Sequence, residues 1–164
     1  MGPYYLAGAP FRTDIAGPEE RGERIVIKGS VLHSDCTTSI PDALIEVWQT
    51  DAGGAYHDHS EGYRMRGQMK AGSRGNYTFR SVKPGRYGLR GQFRPAHIHI
   101  RVSHPGYETL VTQLYFRNDP YLWPNDSCGT YCKSNDANRI IELKEEKPGL
   151  YTGKFDIVLK PLNK

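Results

Sequence analysis

The 164-residue sequence has no apolar run long enough to span a bilayer, and its first residues contain no basic segment that leads into an apolar stretch. We therefore expect neither a membrane protein nor an intact secretory precursor. An export signal removed ahead of Met1 would leave no mark on this sequence, so a secreted and a cytoplasmic location both stay open.

Helical periodicity is also missing, because no segment of about ten residues repeats its apolar positions with the period of a helix. The 18 glycines and 11 prolines instead indicate many turns. Between these turns, apolar and polar residues alternate as they do in half-buried strands. We predict strands over residues 25–32, 43–49, 76–82, 97–103, 109–116, 139–143 and 150–159. Only residues 18–24 and 135–138 suggest short helical turns, so the pattern predicts one all-β domain, a sandwich or a barrel.

Acidic residues are absent between Arg64 and Arg94, where nine basic residues occur. Such a segment can attract anions through its local field, but we expect most of its side chains on solvated strand faces. The net charge of the chain is only +4, and the sequence has neither a nucleic-acid-binding motif nor regularly interleaved aromatic residues. We therefore expect no nucleic-acid partner.

Cysteine is scarce, and with three residues at least one has no partner within the chain. Cys128 and Cys132 are four positions apart in a polar loop and could close a small disulfide. Cys36 could pair with either of them instead, or remain a small buried apolar residue. A second Cys or His pair is missing at the spacing that a zinc knuckle needs, so we expect no such site.

A histidine pair in the predicted strand 97–103 is the most informative feature of the sequence. Successive side chains of a strand point to opposite faces, so His97, His99 and Arg101 share one face, and the apolar residues between them face the core. Two imidazoles at this spacing can bind one metal ion. Taken alone, however, such a pair is more often two surface histidines.

Further metal ligands near this strand would have to include tyrosine. The nearest acid that follows the strand is Glu108, beyond a turn, which argues against the two-histidine, one-carboxylate arrangement of ferrous oxygenases. A phenolate suits ferric iron, and a nearby cation lowers its pKa. Tyr87 lies just ahead of the strand and Tyr56 lies in the loop after residues 43–49, although spacing alone does not select these two from the eleven tyrosines.

A second histidine pair, His57 and His59, lies in a loop. These residues could bind zinc or copper, but loop histidines are more often solvated, and we expect that here. We interpret His33 and His104, which stand alone in the sequence, as structural residues.

Seven blocks of the sequence form a recognisable series over about 115 residues. The blocks are residues 2–5, 9–15, 47–51, 54–56, 83–87, 94–99 and 112–116. In their order and spacing they resemble the intradiol ring-cleavage dioxygenases, most closely their protocatechuate-type core, and the resemblance fades after Phe116.

The resemblance implies an antiparallel β-sandwich with long connecting loops. It also implies that residues 1–164 form one catalytic domain, without the helical amino-terminal dimerisation region of catechol and hydroxyquinol enzymes. The implied cofactor is Fe(III), and the implied partners are a small-molecule catechol and O2, with neither nucleic acid nor a membrane. The reaction would cleave the diol between its two hydroxyl-bearing carbons to give cis,cis-muconate-type products. The individual catechol and the oligomeric state stay open.

The positions that match the family's functional residues follow from the same resemblance. The implied iron ligands are Tyr56, Tyr87, His97 and His99. The implied catalytic residues are Arg94, Tyr87 and Gln113. Tyr87 would leave the iron when the diol binds, Arg94 would stabilise negative charge moving onto the ring, and Gln113 would hydrogen-bond an oxygen.

Two other functions remain as alternatives. A β-sandwich without turnover could bind phenolic compounds or carbohydrates through Tyr121, Trp123 and Tyr131. A zinc or copper hydrolase could use the histidine pair, but it would need an acidic general base that the sequence does not show. The complete ligand set together with Arg94 favours the dioxygenase.

Overall fold

The computed structural model of the protein describes residues 1–163, which form twelve strands and three short 3-10 helices. The strands are β1 (Arg24–His33), β2 (Leu44–Gln49), β3 (Arg66–Lys70), β4 (Asn76–Val82), β5 (Tyr87–Leu89), β6 (Gln92–Arg94), β7 (His97–Ser103), β8 (Leu110–Phe116), β9 (Ile140–Ile141), β10 (Lys144–Lys147), β11 (Leu150–Lys154) and β12 (Ile157–Leu159). The 3-10 helices are His59–Glu61, Gly129–Cys132 and Ala137–Arg139. None of these helices is long and apolar enough to cross a bilayer.

Two five-stranded sheets enclose the core, which confirms the all-β sandwich. One sheet has the order β10-β11-β1-β12, with β4 also paired to β1, and the other has the order β3-β2-β7-β8-β9. A separate hairpin of β5 and β6 lies beside them. Apolar residues of β1 and β4 meet those of β2, β7 and β8 in one continuous cluster. The face of β7 opposite this cluster carries the two histidines.

The predicted antiparallel pairing holds for all strands except three pairs. β1 runs parallel to both β11 and β12, and β8 runs parallel to β9. The predicted strand 150–159 is divided at Phe155 and Asp156, and its two halves pair with successive parts of β1. The division occurs where the Phe155 carbonyl lies against Gly29, since a Cβ there would be 1.9 Å from that oxygen.

Most predicted strands are confirmed, but several elements were missed or misplaced. The limits of β4 and β7 are as predicted, and those of β1, β2 and β8 differ by one residue at one or both ends. The predicted strand 139–143 shrinks to β9 because a 3-10 helix precedes it, and residues 18–24 form no helix. β3 and β10 were missed because their polar sequences do not alternate. β10 is exposed throughout, and β3 is partly covered by the amino-terminal segment through a hydrogen bond from Arg12 to Gln68.

Phe79 of β4 is fully buried in the core, and we expect Phe79→Ala to lower the free energy of unfolding by about 3–5 kcal/mol. The loss combines the transfer free energy of the ring with the cavity that remains. Thr78→Ala is the matched control, because Thr78 is exposed on the same strand. This substitution should lower the free energy of unfolding by less than about 1 kcal/mol. Urea denaturation measures both values, and equal losses would contradict the position of Phe79 in the core.

Candidate metal centre

The side chains of β7 divide between two faces as the alternation predicts. Ile98 and Ile100 are fully buried in the core. His97 and His99 lie on the other face and are also buried, with 2% and 7% of their surfaces exposed. His97 and His99 are therefore not surface histidines of a half-exposed strand.

His97 presents one defined ring nitrogen to this face. Its Nδ1–H donates to the carbonyl oxygen of Pro95 at 2.7 Å, and a carbonyl can only accept. Burial, assisted by the charge of Arg94, lowers the pKa of His97 to about 4. The ring is therefore neutral near pH 7, with the Nε2 lone pair free of a proton.

Tyr56 and His99 lie in direct contact, with the Tyr56 hydroxyl 2.9 Å from His99 Nε2. Burial raises the pKa of Tyr56 well above its usual range, and the neighbouring Tyr87 phenol adds to the rise. Burial also lowers the pKa of His99 well below its usual value. Both side chains are therefore uncharged near pH 7 when no ion lies between them.

Tyr87 completes a group of four neighbouring aromatic rings. Its ring centre lies 5.3 Å from that of Tyr56 and 5.5 Å from that of His97, and the rings of His97 and His99 are 4.8 Å apart. Within residues 1–163, no set of three or more His, Cys, Asp or Glu side chains is placed to hold a metal ion, so a metal at these rings would need the two phenols as donors. The structure thus brings all four predicted donors together from three separate parts of the chain.

Two glycines allow the tyrosine-bearing loops to approach each other. A Cβ on Gly54 would lie 2.2 Å from the carbonyl oxygen of Arg86, and a Cβ on Gly85 would lie 2.5 Å from the backbone of the other loop. Each glycine precedes its tyrosine by two residues. The close backbone contact therefore sets the distance between Tyr56 and Tyr87.

Gly54→Ala should separate these loops, and we expect it to lower both the free energy of unfolding, by about 1–3 kcal/mol, and the iron bound per chain. The alanine would be strained at φ +90° and would collide with backbone. Gly17→Ala controls for the strain alone, because Gly17 has φ +74° but open space around it. Urea denaturation and metal analysis test the pair, and equal iron contents would contradict a role for the loop contact.

Arg94 lies at the end of β6 and is buried beside the histidines. Its Nη1 is 3.4 Å from His97 Nε2, and its Nη2 donates to Gln113 Oε1 at 2.9 Å and to the Tyr115 hydroxyl at 3.0 Å. Burial opposes the charge of Arg94, but its hydrogen bond to Asp126 and the negative charge of that carboxylate outweigh burial and raise its pKa. A permanent cation therefore lies next to the four rings.

Gln113 follows on β8 and is held by the same network. Its Oε1 accepts from Arg94 and from the Tyr115 hydroxyl. Burial raises the pKa of Tyr115 to about 12, so this hydroxyl keeps its proton near pH 7. Because the carbonyl oxygen of the Gln113 side chain is occupied, its amide NH2 is the part left to donate to a ligand.

A cavity of about 480 Å³ opens next to these residues. This volume lies within the range of sites for small organic ligands. The cavity is lined by Tyr87, Arg94, His99, Gln113, Val111, Thr112, Arg139, Lys133, Tyr131, both disulfide cysteines and residues 1–4. The disulfide joins Cys128 to Cys132, as one of the pairings left open by the sequence, and Cys36 is an exposed free thiol.

Three residues without a predicted role lie against the four rings. Tyr4 stacks on Tyr56 with ring centres 3.9 Å apart, and Trp48 stacks on His99 at 4.9 Å. Buried Arg66 donates to the carbonyl oxygen of Tyr4 and to that of the residue after Tyr56. Tyr4 and Trp48 stand in blocks that carry the family resemblance, and only this resemblance could have indicated that they lie at the site. Nothing in the sequence distinguishes Arg66 from the other basic residues around it.

The second histidine pair is only partly solvated. His57 was expected to be solvated and is not, because its two ring nitrogens lie 2.9 Å from carboxylate oxygens of Asp51 and Glu61. His59 is exposed, as expected. His57 therefore fixes the loop that follows β2 and carries Tyr56.

Comparison with known proteins gives the family of the chain. Residues 1–161 match the family model described as dioxygenase. The chain is 35% identical to chlorocatechol 1,2-dioxygenase of Rhodococcus opacus, over 78% of this chain and 58% of that protein. It spans about three fifths of the length of the first curated relatives that it matches.

Solved structures agree with this match. The dioxygenase domain of a dioxygenase and carbohydrate-binding protein fusion from Streptomyces sp. SirexAA-E is 31% identical, with a TM-score of 0.82 over 98% of this chain and 94% of that one. The 3-chlorocatechol 1,2-dioxygenase from Rhodococcus opacus 1CP has a TM-score of 0.86 at 24% identity over 98% of this chain and 71% of that one, which shows the shared fold. The resemblance found in the sequence is confirmed, and the chain belongs to the intradiol dioxygenase family.

Proposed function

We propose that this chain cleaves catechol-type aromatic diols with O2 between their two hydroxyl-bearing carbons, giving cis,cis-muconate-type products. The family uses non-haem iron. In this chain the ion would be Fe(III), held by Tyr56, Tyr87, His97 and His99. The observation that carries the proposal is the convergence of these two phenols and two neutral imidazoles beside a cavity of suitable size.

The chemistry of the donor set fits a ferric ion. Metal binding requires neutral imidazoles, and the lowered pKa values of His97 and His99 supply them. The hydrogen bond from His97 Nδ1 to Pro95 orients that ring and leaves Nε2 as its donor atom. A bound trivalent cation would lower the pKa values of the two phenols, and their phenolates are hard donors of the kind that ferric iron prefers.

The two tyrosines are placed differently toward the cavity. Tyr87 lines the cavity, whereas Tyr56 does not and is covered by the stacked ring of Tyr4. An entering diol therefore meets Tyr87 first. We assign Tyr87 as the phenol that would make way for the diol at a bound iron and whose oxygen would accept a proton from it, and Tyr56 as the phenol that would remain a ligand.

Arg94 and Gln113 act on the substrate from the cavity wall. Bound iron would activate the diol ring toward dioxygen. The Arg94 guanidinium, which lines the same cavity, stabilises the negative charge that develops on the ring and on the entering oxygen. The Gln113 amide orients a substrate oxygen by donating a hydrogen bond.

The relatives favour catalysis over a module that only binds. The chain is similar to a protein named chlorocatechol 1,2-dioxygenase. Of the three aromatic residues suggested for binding, Tyr131 is 90% exposed, but Tyr121 packs against Phe93 and Arg86. These contacts leave less of the Tyr121 ring free to bind a phenolic compound or a carbohydrate.

Oxygen uptake by the iron-loaded protein tests the proposal. We expect uptake with at least one of catechol, protocatechuate, hydroxyquinol and substituted catechols, together with a muconate-type product spectrum. The iron-loaded protein should also be reddish from phenolate-to-iron charge transfer, with a band that shifts when a catechol is added. A protein that binds one iron per chain but consumes no oxygen with this panel would contradict the proposed activity, and protein stripped by a chelator is the control.

A further inference from the structure

A buried carboxylate outside the proposed ligand set lies against Arg94. Asp126 belongs to the long connection between β8 and β9, and none of its side-chain surface is exposed. A carboxylate taken out of water needs a charged or hydrogen-bonding partner. Arg94 provides it from the neighbouring hairpin.

The contact fixes one edge of the guanidinium. Arg94 Nε donates to Asp126 Oδ1 at 3.2 Å, and Arg94 Nη2 lies 3.4 Å from Asp126 Oδ2. This two-point contact removes rotation about the end of the side chain. The remaining edge of the guanidinium then faces His97 Nε2.

The carboxylate is itself held by the backbone of its loop. The Cys128 N–H donates to Asp126 Oδ1 at 2.9 Å, and the Ser127 N–H donates to the carbonyl oxygen of Phe93, the residue before Arg94. The disulfide between Cys128 and Cys132 closes a small loop directly after this contact. The loop therefore brings Asp126 to Arg94 in a defined position.

Stability alone does not account for this arrangement. A buried ion pair is often no more stabilising than apolar residues of similar volume, because both charges lose their water. Holding the orientation of a group that must meet charge in a transition state is a separate benefit. We propose that Asp126 is a positioning residue, which holds the Arg94 guanidinium in the orientation that faces the cavity and the His97 nitrogen. This inference rests on the charge-stabilising role proposed for Arg94.

Kinetics of Asp126→Asn test the consequence for catalysis. The asparagine keeps the shape and one acceptor oxygen but loses the charge, and we expect kcat to fall roughly 10- to 100-fold with KM and iron content unchanged. If Asp126 acts through Arg94, the double variant Asp126→Asn with Arg94→Gln should be within about twofold of Arg94→Gln alone. Losses that multiply, or a wild-type kcat in Asp126→Asn, would overturn the proposal, as would a loss of iron.

Asp35→Asn is the matched control. The Asp35 carboxylate also accepts backbone N–H groups of its loop, from Thr37 and Thr38, but it is exposed and distant in the fold from the four rings. Its variant should keep the wild-type kcat. A similar fall of kcat in both variants would mean that the loss of any carboxylate that accepts backbone N–H groups of its loop slows turnover. That result would overturn the specific role of Asp126.

Arginine side-chain resonances test the contact without any turnover. In diamagnetic protein, metal-free or loaded with gallium(III), the Arg94 Nε–H should give a slowly exchanging signal, identified by its absence in Arg94→Gln. The signal should be lost or broadened in Asp126→Asn and retained in Asp35→Asn. A wild-type spectrum without a protected Arg94 signal would overturn the proposal even if Asp126→Asn fails to fold. A wild-type protein that consumes no oxygen but shows the protected signal would instead contradict the proposed function alone.

Discussion

His97→Ala is expected to lower the affinity of the chain for iron by more than about 100-fold and to abolish the red colour. The substitution removes one of four donors, and the side chain that it removes is oriented by Pro95 so that only Nε2 faces the other rings. Because His97 is neutral and buried, its loss leaves no unpaired charge behind. Metal analysis after iron loading, together with the visible spectrum, measures the effect.

The control for this variant is His104→Ala. His104 packs beside Tyr107 at the far end of β7 and is distant from the four rings along the strand. It should bind iron as the wild type does. If His97→Ala retained iron and colour at the wild-type level, the proposed ligand set would be wrong, whatever rate of oxygen uptake the variant showed.

The sequence predicts those parts of the site that depend on neighbouring residues, but not those that depend on contacts between distant parts of the chain. The alternation in β7 is a local property of the backbone, so the shared face of His97 and His99 could be predicted from their spacing. The meeting of Tyr56 and Tyr87 could not, because it depends on two loops that touch at Gly54 and at Gly85. Only the family resemblance identified these tyrosines among the eleven in the chain.

Burial separates the two basic residues that lie beside the four rings from those on the surface. Most of the basic residues between positions 64 and 94 are partly or fully exposed, as expected, but Arg66 and Arg94 are buried. Arg66 joins the amino-terminal segment to the loop of Tyr56, and Arg94 pairs with Asp126. The sequence does not distinguish these two from their neighbours, because their partners are backbone carbonyls and an acid 32 positions away.

The long connection after β8 was the least predictable part of the fold. Apart from the helical turn predicted at residues 135–138, its polar, turn-rich sequence indicates neither strand nor helix, yet it supplies Asp126 and the disulfide wall of the cavity. It also makes the parallel pairing of β8 with β9 feasible, since parallel strands need a connection of a dozen or more residues. Contacts of this kind depend on the closed tertiary structure and leave no periodic signal.

Arg94→Gln is expected to lower kcat roughly 100- to 1000-fold while iron and colour are retained, because we propose that the guanidinium stabilises charge that develops only during the reaction. The variant leaves Asp126 buried without a cation, which costs about 3–5 kcal/mol of stability. Arg94→Lys keeps a charge and should be more stable, yet it lacks the planar fork that reaches both Asp126 and Gln113. We therefore expect Arg94→Lys to recover stability in urea denaturation without recovering more than a small part of kcat.

This difference between the two variants separates charge from geometry at Arg94. Arg90→Gln is the matched control, because Arg90 is an exposed residue of the same hairpin and its loss should leave kcat unchanged. If Arg94→Lys restored the full wild-type rate, a positive charge alone would suffice and the fixed orientation of the guanidinium would be irrelevant to turnover. If Arg94→Gln itself turned over catechols at the wild-type rate, the stabilisation of charge on the diol would have to come from another group on the cavity wall.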